Sequence, residues 1–393
     1  MSSSYRRVKL ITAPGFANEV ICELEDELPS LLKQYVNDQW EWEVEQEEDA
    51  LTGSTGDTRE ILETILSNIK ESDVDYLICL TDLPLFHDGR VVVSEAYEEE
   101  NVAIISIPGL GSTPMRKRIK SSIIQLVNEM YYESSEEGYE RLRDKIKEAG
   151  KDGLRVIDGR ILVGRKGFEK FSPIKREVPK DGEHNIDVRF TVPSKIWGGV
   201  RILTGMVRAN QPWRMFPAFV KVLVVAFATG AYALVFPTLW TLTSDYEIWR
   251  LAMLSVVSIF AMVTWIMLAH NLWESPRHDT HNRKRWLYNI ATAFTLLISV
   301  TLFYINLYLM FLISVFIFIP LPSLESQVGS SSSYVDYFFI AWLISSFATI
   351  IGALGTALES EETILSATYG YRQKQRYEQL KKRKEEEKQE EKS

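Results

Sequence analysis

Residues 286–320 read WLYNIATAFTLLISVTLFYINLYLMFLISVFIFIP, an apolar run of 35 residues with no charged side chain. As one helix, at 1.5 Å per residue, it would reach roughly 50 Å, well beyond the ~30 Å of hydrocarbon that an upright span must cross. Two spans would need about 20 residues each and leave nothing for a turn. The charges around the run decide how it is read. The loop before it holds Arg277, Arg283, Lys284 and Arg285, whereas the loop after it, Leu321 to Asp336, holds no Lys or Arg, only Glu325 and Asp336.

Three shorter apolar runs, Phe216 to Trp240, Trp249 to Trp273 and Tyr337 to Leu358, are each long enough for one crossing. The loop Thr241 to Ile248 is again free of Lys and Arg, while the tail after the last run carries Arg372, Lys374, Arg376, Lys381, Lys382, Arg383 and Lys384. The positive-inside rule puts the N-terminus, the second-third loop and the tail in the cytoplasm, which requires four crossings and therefore one crossing by the long run. Trp286 to about Phe311 is expected to cross, with the remainder through Pro320 bending along the outer interface. Trp213, Trp240, Trp249, Trp273, Trp286 and Tyr337 fall at the expected boundaries, as an interfacial aromatic belt requires. Asn306 is expected to hydrogen-bond a neighbouring helix, and Lys221 and Arg250 to snorkel. Ala348, Gly352 and Thr356 repeat at four-residue spacing, which lets helices approach closely and points to packing within the bundle or to a homo-oligomer through that face. Arg6, Arg7 and Lys9 are followed by too few apolar residues for a signal peptide, so the N-terminal half is expected in the cytosol of a multi-pass plasma-membrane protein.

Composition divides the chain in the same way. Met1 to Ala149 carries 15 Lys and Arg against 31 Asp and Glu, leaving 29 against 22 for the rest. An acidic N-terminal part repels phosphate, which excludes a nucleic-acid binder acting through bulk positive charge. Two cysteines, Cys22 and Cys79, both in apolar stretches that read as core, exclude a disulfide scaffold.

The N-terminal half alternates strand and helix patterns. Strands are predicted at Val8 to Thr12, Trp40 to Val44, Tyr76 to Leu80, Arg90 to Val93 and Val102 to Ile107. Helices are predicted at Phe16 to Gln34, Asp57 to Lys70 and from Pro114 through Met130. The alternation predicts an α/β cytosolic domain with an open, Rossmann-like sheet over residues 1–135. A basic connector, 136–212, is expected to hold a charged helix, a hairpin at Arg155 to Val163, a strand at Ile186 to Val192 and an amphipathic helix at Ile196 to Asn210. That helix lies either in the headgroups, offering Arg201, Arg208 and later Arg214 to anionic lipid, or against the cytosolic domain. A four-helix membrane domain, 213–360, and a charged tail, 361–393, complete the chain.

Two places invite a chemical reading. The turn Pro108-Gly109-Leu110-Gly111-Ser112-Thr113-Pro114 leads into Arg116, Lys117, Arg118 and Lys120. Glycines that expose backbone N–H groups at a helix start, backed by cations, would hold a phosphate or carboxylate, although a strand-to-helix turn needs the same residues for structural reasons. Asp82, His87 and Asp88 supply three ligand atoms near a strand end, enough for a metal or acid-base work, or simply a solvated turn. The acidic run Glu41 to Asp49 and Glu98 to Glu100 read as solvated edges. No nucleophile with an identifiable base and no cofactor signature stands out.

The stretches Gly205 to Arg214, Ala228 to Ala231, Ala269 to Glu274 and Gly352 to Gly355 with Leu358-Glu359-Ser360 give the chain a resemblance to an uncharacterised family of Gram-positive bacterial multi-span membrane proteins. Some members of that family are labelled methylenetetrahydrofolate dehydrogenase, and Pro108 to Met115 is distantly similar to that enzyme's glycine turn, with different glycine spacing. The preferred reading is a non-enzymatic membrane protein whose cytosolic domain binds a ligand or partner. A membrane-tethered enzyme of nucleotide or folate chemistry is second and a transporter third.

Overall fold

The computed structural model describes residues 5–49, 74–97, 100–112, 114–148, 172–179, 186–273, 282–329 and 332–356. The helix expected at Asp57 to Lys70, the hairpin at Arg155 to Val163 and the charged tail lie outside them. Two compact units emerge, one within Met1–Ala209 and one within Asn210–Arg372.

The first unit is built on one mixed sheet. Its strands are β1 (Tyr5–Thr12), β2 (Glu41–Glu48), β3 (Tyr76–Thr81), β4 (Leu85–His87), β5 (Arg90–Tyr97), β6 (Val102–Ser106), β7 (Lys175–Glu177) and β8 (Val188–Val192). They run in the order β2-β1-β3-β6-β5-β8-β7, with β4 pairing β5. The pairs β2/β1, β1/β3 and β3/β6 are parallel, so the open α/β pattern is present in that half. From β5 onward every pair is antiparallel. For β4/β5 and β5/β6 connection length is the reason: Asp88 and Gly89, both at positive φ, close a two-residue hairpin, and Asn101, also at positive φ, helps close the short link from β5 to β6. Neither link is long enough for a parallel crossover. β3, β6 and β8 are buried along their whole length. Thr191 and Arg189, which alternate in sequence like a solvent-facing edge, are therefore inside.

The helix predicted over Phe16 to Gln34 is two: α1 (Phe16–Cys22) and α2 (Leu28–Tyr35). Pro29 fits only a first turn, so the chain restarts there. The break leaves Cys22 exposed, contrary to its expected core position, while Cys79 in β3 is buried. Helix α3 (Met115–Tyr131) buries the stripe Ile119, Ile123, Leu126, Val127 and Met130 as its spacing predicts. α4 (Glu136–Glu148) and α5 (Lys195–Ala209) complete this unit.

The second unit is mostly helical: a 3-10 segment at Pro212–Phe219, then α6 (Val220–Leu234), α7 (Pro237–Ser244), α8 (Ile248–Ala269), α9 (Asn282–Phe318), α10 (Leu321–Val328) and α11 (Tyr334–Gly355). Three stretches, Ile248–Ala269, Arg285–Phe318 and Tyr334–Gly355, are long and apolar enough to cross a membrane. The run Phe216 to Trp240 is not the single straight helix it was expected to be. α6 and α7 meet at 87° and qualify only as a bent pair. Pro237 opens α7 and holds Phe236 extended, so the chain turns there.

The long run is also corrected. α9 continues as one helix past Phe311 to Phe318, because Leu312 to Phe318 contains no residue that breaks a helix. The first residue that cannot donate to the ladder is Pro320, where the chain turns into α10 and the Tyr337 hydroxyl caps the Ile319 carbonyl. Asn306 donates to the Leu302 carbonyl of its own helix at 2.9 Å, not to a neighbour. Ala348, Gly352 and Thr356 are buried inside the unit; a Cβ on Gly352 would sit 3.2 Å from Ala226 and 3.4 Å from Phe303. The small residues bring α11 onto α6 and α9 of the same chain, which removes them as a contact between copies.

Candidate functional site: the glycine turn and its basic helix

β6 delivers the chain into a 3-10 turn, Pro108–Leu110, all three residues buried. Ile107 N–H bonds the Thr81 carbonyl, which anchors the turn to β3. The amides of Gly109, Leu110 and Gly111 are engaged inside the turn. Gly109 N–H reaches Ser106 Oγ at 3.4 Å, Leu110 N–H reaches the Ile107 carbonyl at 3.1 Å, and Gly111 N–H reaches the Pro108 carbonyl at 3.0 Å.

The glycines serve close packing instead. A Cβ on Gly109 would lie 2.9 Å from the Val92 carbonyl oxygen, and one on Gly205 of α5 would lie 2.2 Å from the Pro108 oxygen. Gly111 has φ +82, and its Cβ would meet Arg118 Nη1 at 2.9 Å and Arg201 Cγ at 3.2 Å. A turn sandwiched between β5 and α5 tolerates no side chain at these points.

The basic residues divide. Arg118, 2% exposed, donates to the Leu110 carbonyl, and Arg201, fully buried, donates to the same oxygen at 3.0 Å. Arg201 also donates to the Ser172 carbonyl at 2.6 Å and Oγ at 3.1 Å. Its charge is spent inside the fold, which corrects its assignment to lipid. Arg208, half-buried, lies 5.8 Å from the Phe16 ring centroid, and Arg214 is exposed. Arg116 pairs with Glu23 at 3.1 Å and lies 3.6 Å from Glu27, and Lys120 pairs with Glu27 at 3.0 Å. The Lys120 ammonium and then Arg116 hold the Glu27 carboxyl below its usual range. Lys117 is exposed and Ser112 half-exposed; Thr113 lies outside the described residues.

The second set does not converge on one point. Asp82 is buried just after β3; His87 ends β4; Asp88, 84% exposed at its side chain, forms the hairpin turn with its carboxylate 3.5 Å from His87 Nε2. Among the described residues no group of three or more His, Cys, Asp or Glu is placed to hold a metal ion. Along the acidic edge Glu43 pairs with Arg7 and Glu47 with Lys9 of β1, and Glu41 pairs with Lys33 of α2.

The polar features that local patterning misses are two buried ion pairs. Arg189 Nε lies 2.6 Å from Glu95, which also accepts from the Tyr97 hydroxyl, and Arg176 lies 3.0 Å from Glu129. The partners are 94 and 47 residues apart, so no window of sequence contains both. Both pairs tie β7 and β8 into the unit. No family model, curated protein or solved structure matches the chain.

Proposed function

We propose that the chain is an integral membrane protein crossing the bilayer four times, with the bent pair α6 and α7 as its first crossing. In this reading its N-terminal α/β unit is held at the cytoplasmic face as a binding module without catalytic chemistry. The observation that carries it is the outer surface of the helical unit. Val256, Phe260, Leu268, Ile313, Ile317, Phe318 and Leu354 are all more than half exposed, which water would penalise and hydrocarbon would not. Trp249, Trp273 and Trp286, each more than half exposed at helix ends, support the same boundaries.

Helix α5 supports attachment from the other unit. It buries Gly198, Arg201, Ile202, Gly205 and Met206 against the sheet side and leaves Ile196, Trp197 and Val200 outward, with Ile196 79% exposed. An apolar outer stripe of this kind suits the headgroup boundary, with Arg214 as the cation facing anionic lipid. The reading without nucleotide or folate chemistry rests on the glycine turn: the Gly109, Leu110 and Gly111 amides are engaged within it and the Leu110 carbonyl is held by two arginines, as a structural turn requires.

Single cysteines at Ser326 and Ser393, in a chain whose own cysteines are replaced by serine, test the topology in intact cells. A membrane-impermeant maleimide should label Ser326→Cys and leave Ser393→Cys unlabelled until lysis; the reverse pattern overturns the orientation. Thermal-shift screening of the full chain against nucleotides and folates should show no stabilisation, and saturable stabilisation by either class would restore the enzyme reading.

A further inference from the structure

At one end of the helical unit a cavity of about 470 Å³ opens between the end of α7, the α7–α8 loop, α10 and the start of α11. Its volume falls within the range that small-molecule sites occupy, roughly 300–1,000 Å³. Trp240, Tyr246, Trp249 and Phe339 supply aromatic walls, Glu247 and Asp336 supply carboxylates, and none of the lining residues is basic. The flanking segments 241–248 and 321–336 contain no Lys or Arg either. Several lining groups are held by hydrogen bonds: Trp240 Nε1 donates to the Leu234 carbonyl at 3.1 Å, Trp249 Nε1 donates to Glu247, and Asp336 accepts from Ser333 N–H at 2.7 Å in a capping box.

This combination selects a chemistry. Two carboxylates without a cation in the lining repel anions and attract positive charge. A hard metal ion would need several convergent oxygen ligands, and among the described residues no three acidic or His/Cys groups gather. Aromatic faces, by contrast, bind cations that carry little hydration; the Arg250 guanidinium, 5.5 Å from the Trp249 centroid, stands outside the lining. We propose that this cavity binds a free, water-soluble organic ammonium ion with an apolar body, its charge facing Glu247 and Asp336 and its alkyl or aryl part against the rings.

Isothermal titration of the full chain in an uncharged detergent, with benzyltrimethylammonium as probe and benzyl alcohol as the uncharged control, tests this. Saturable binding of the ammonium is expected, with the alcohol at least about tenfold weaker and Glu247→Gln and Trp249→Leu each weakening the ammonium about tenfold. Both residues are exposed, so the variants should keep the parent melting temperature, measured alongside. No saturable binding, equal affinity for the alcohol, or unchanged affinity in folded variants overturns the proposal. In nanodiscs, equal affinity in phosphatidylglycerol and phosphatidylcholine supports a soluble ligand. Loss of binding only in phosphatidylcholine would instead assign the cavity to a lipid headgroup.

Discussion

The Arg201 guanidinium donates to the Leu110 carbonyl oxygen at 3.0 Å with its side chain fully buried, 91 residues away in sequence. This bond, shared with Arg118 and extended to Ser172, joins α5 to the glycine turn at the end of β6. Arg201→Met removes several charge-assisted bonds and leaves two carbonyls without that donor, so it should destabilise the first unit by roughly 3 kcal/mol. Arg201→Lys, which cannot reproduce the planar fork, should recover only part of the loss. Thermal melting of the full chain in detergent measures both. A melt unchanged in Arg201→Met would show that the contact contributes nothing.

Two glycines of the same helix should respond in opposite directions. Gly205→Ala drives a methyl to within 2.2 Å of the Pro108 oxygen and should cost about 1–3 kcal/mol. Gly199→Ala meets nothing within 4 Å and should stabilise the helix by about 0.5–1 kcal/mol. Chemical denaturation of the two variants beside the parent decides it, and equal effects would contradict the packing of α5 on the turn.

The cysteines should separate by reactivity. Cys22 is exposed, whereas burial pushes the Cys79 thiol well above its usual range. A maleimide should modify one thiol per native chain and two after denaturation, with Cys22→Ser abolishing the native reaction. Mass spectrometry of the labelled chain reads this, and rapid native labelling at Cys79 would place β3 at an accessible surface.

Alkaline stability depends on two buried phenols. Burial pushes Tyr76 up to about 12, and burial with the neighbouring Glu95 pushes Tyr97 up further. In the unfolded chain a tyrosine ionises near 10. Between that pH and about 12 the native state retains protons that the unfolded state has lost, so stability is whole below the window and falls as pH rises through it. Phenolate absorbance followed with circular dichroism should show both phenols titrating together with unfolding. If a Tyr76→Phe, Tyr97→Phe chain loses stability over the same alkaline window as the parent, these phenols are not the cause.

Local chemistry was legible along the chain. Periodicity placed β1, β3, β5, β6 and α3, and apolar length marked the helices at Ile248–Ala269, Arg285–Phe318 and Tyr334–Gly355, because both signals sit within one element. Breaks set by one residue were present but outweighed by the apolar pattern: Pro29 divides the first predicted helix, and Pro237 bends the first apolar run by 87°. Where the polar groups go depends on long-range packing. Arg201, offered to lipid on one reading of its helix, Arg189, on the polar side of its strand's alternation, and Arg176, which no pattern singled out, are buried against partners far away in sequence. The candidate site divided on the same ground. Gly109, Gly111 and Arg118 were visible as a turn and a cation, but whether backbone amides face a ligand or each other depends on which carbonyls the fold brings near. Covalent order fixes spacing along one element; long-range hydrogen bonding and burial, which no short window contains, fix its use.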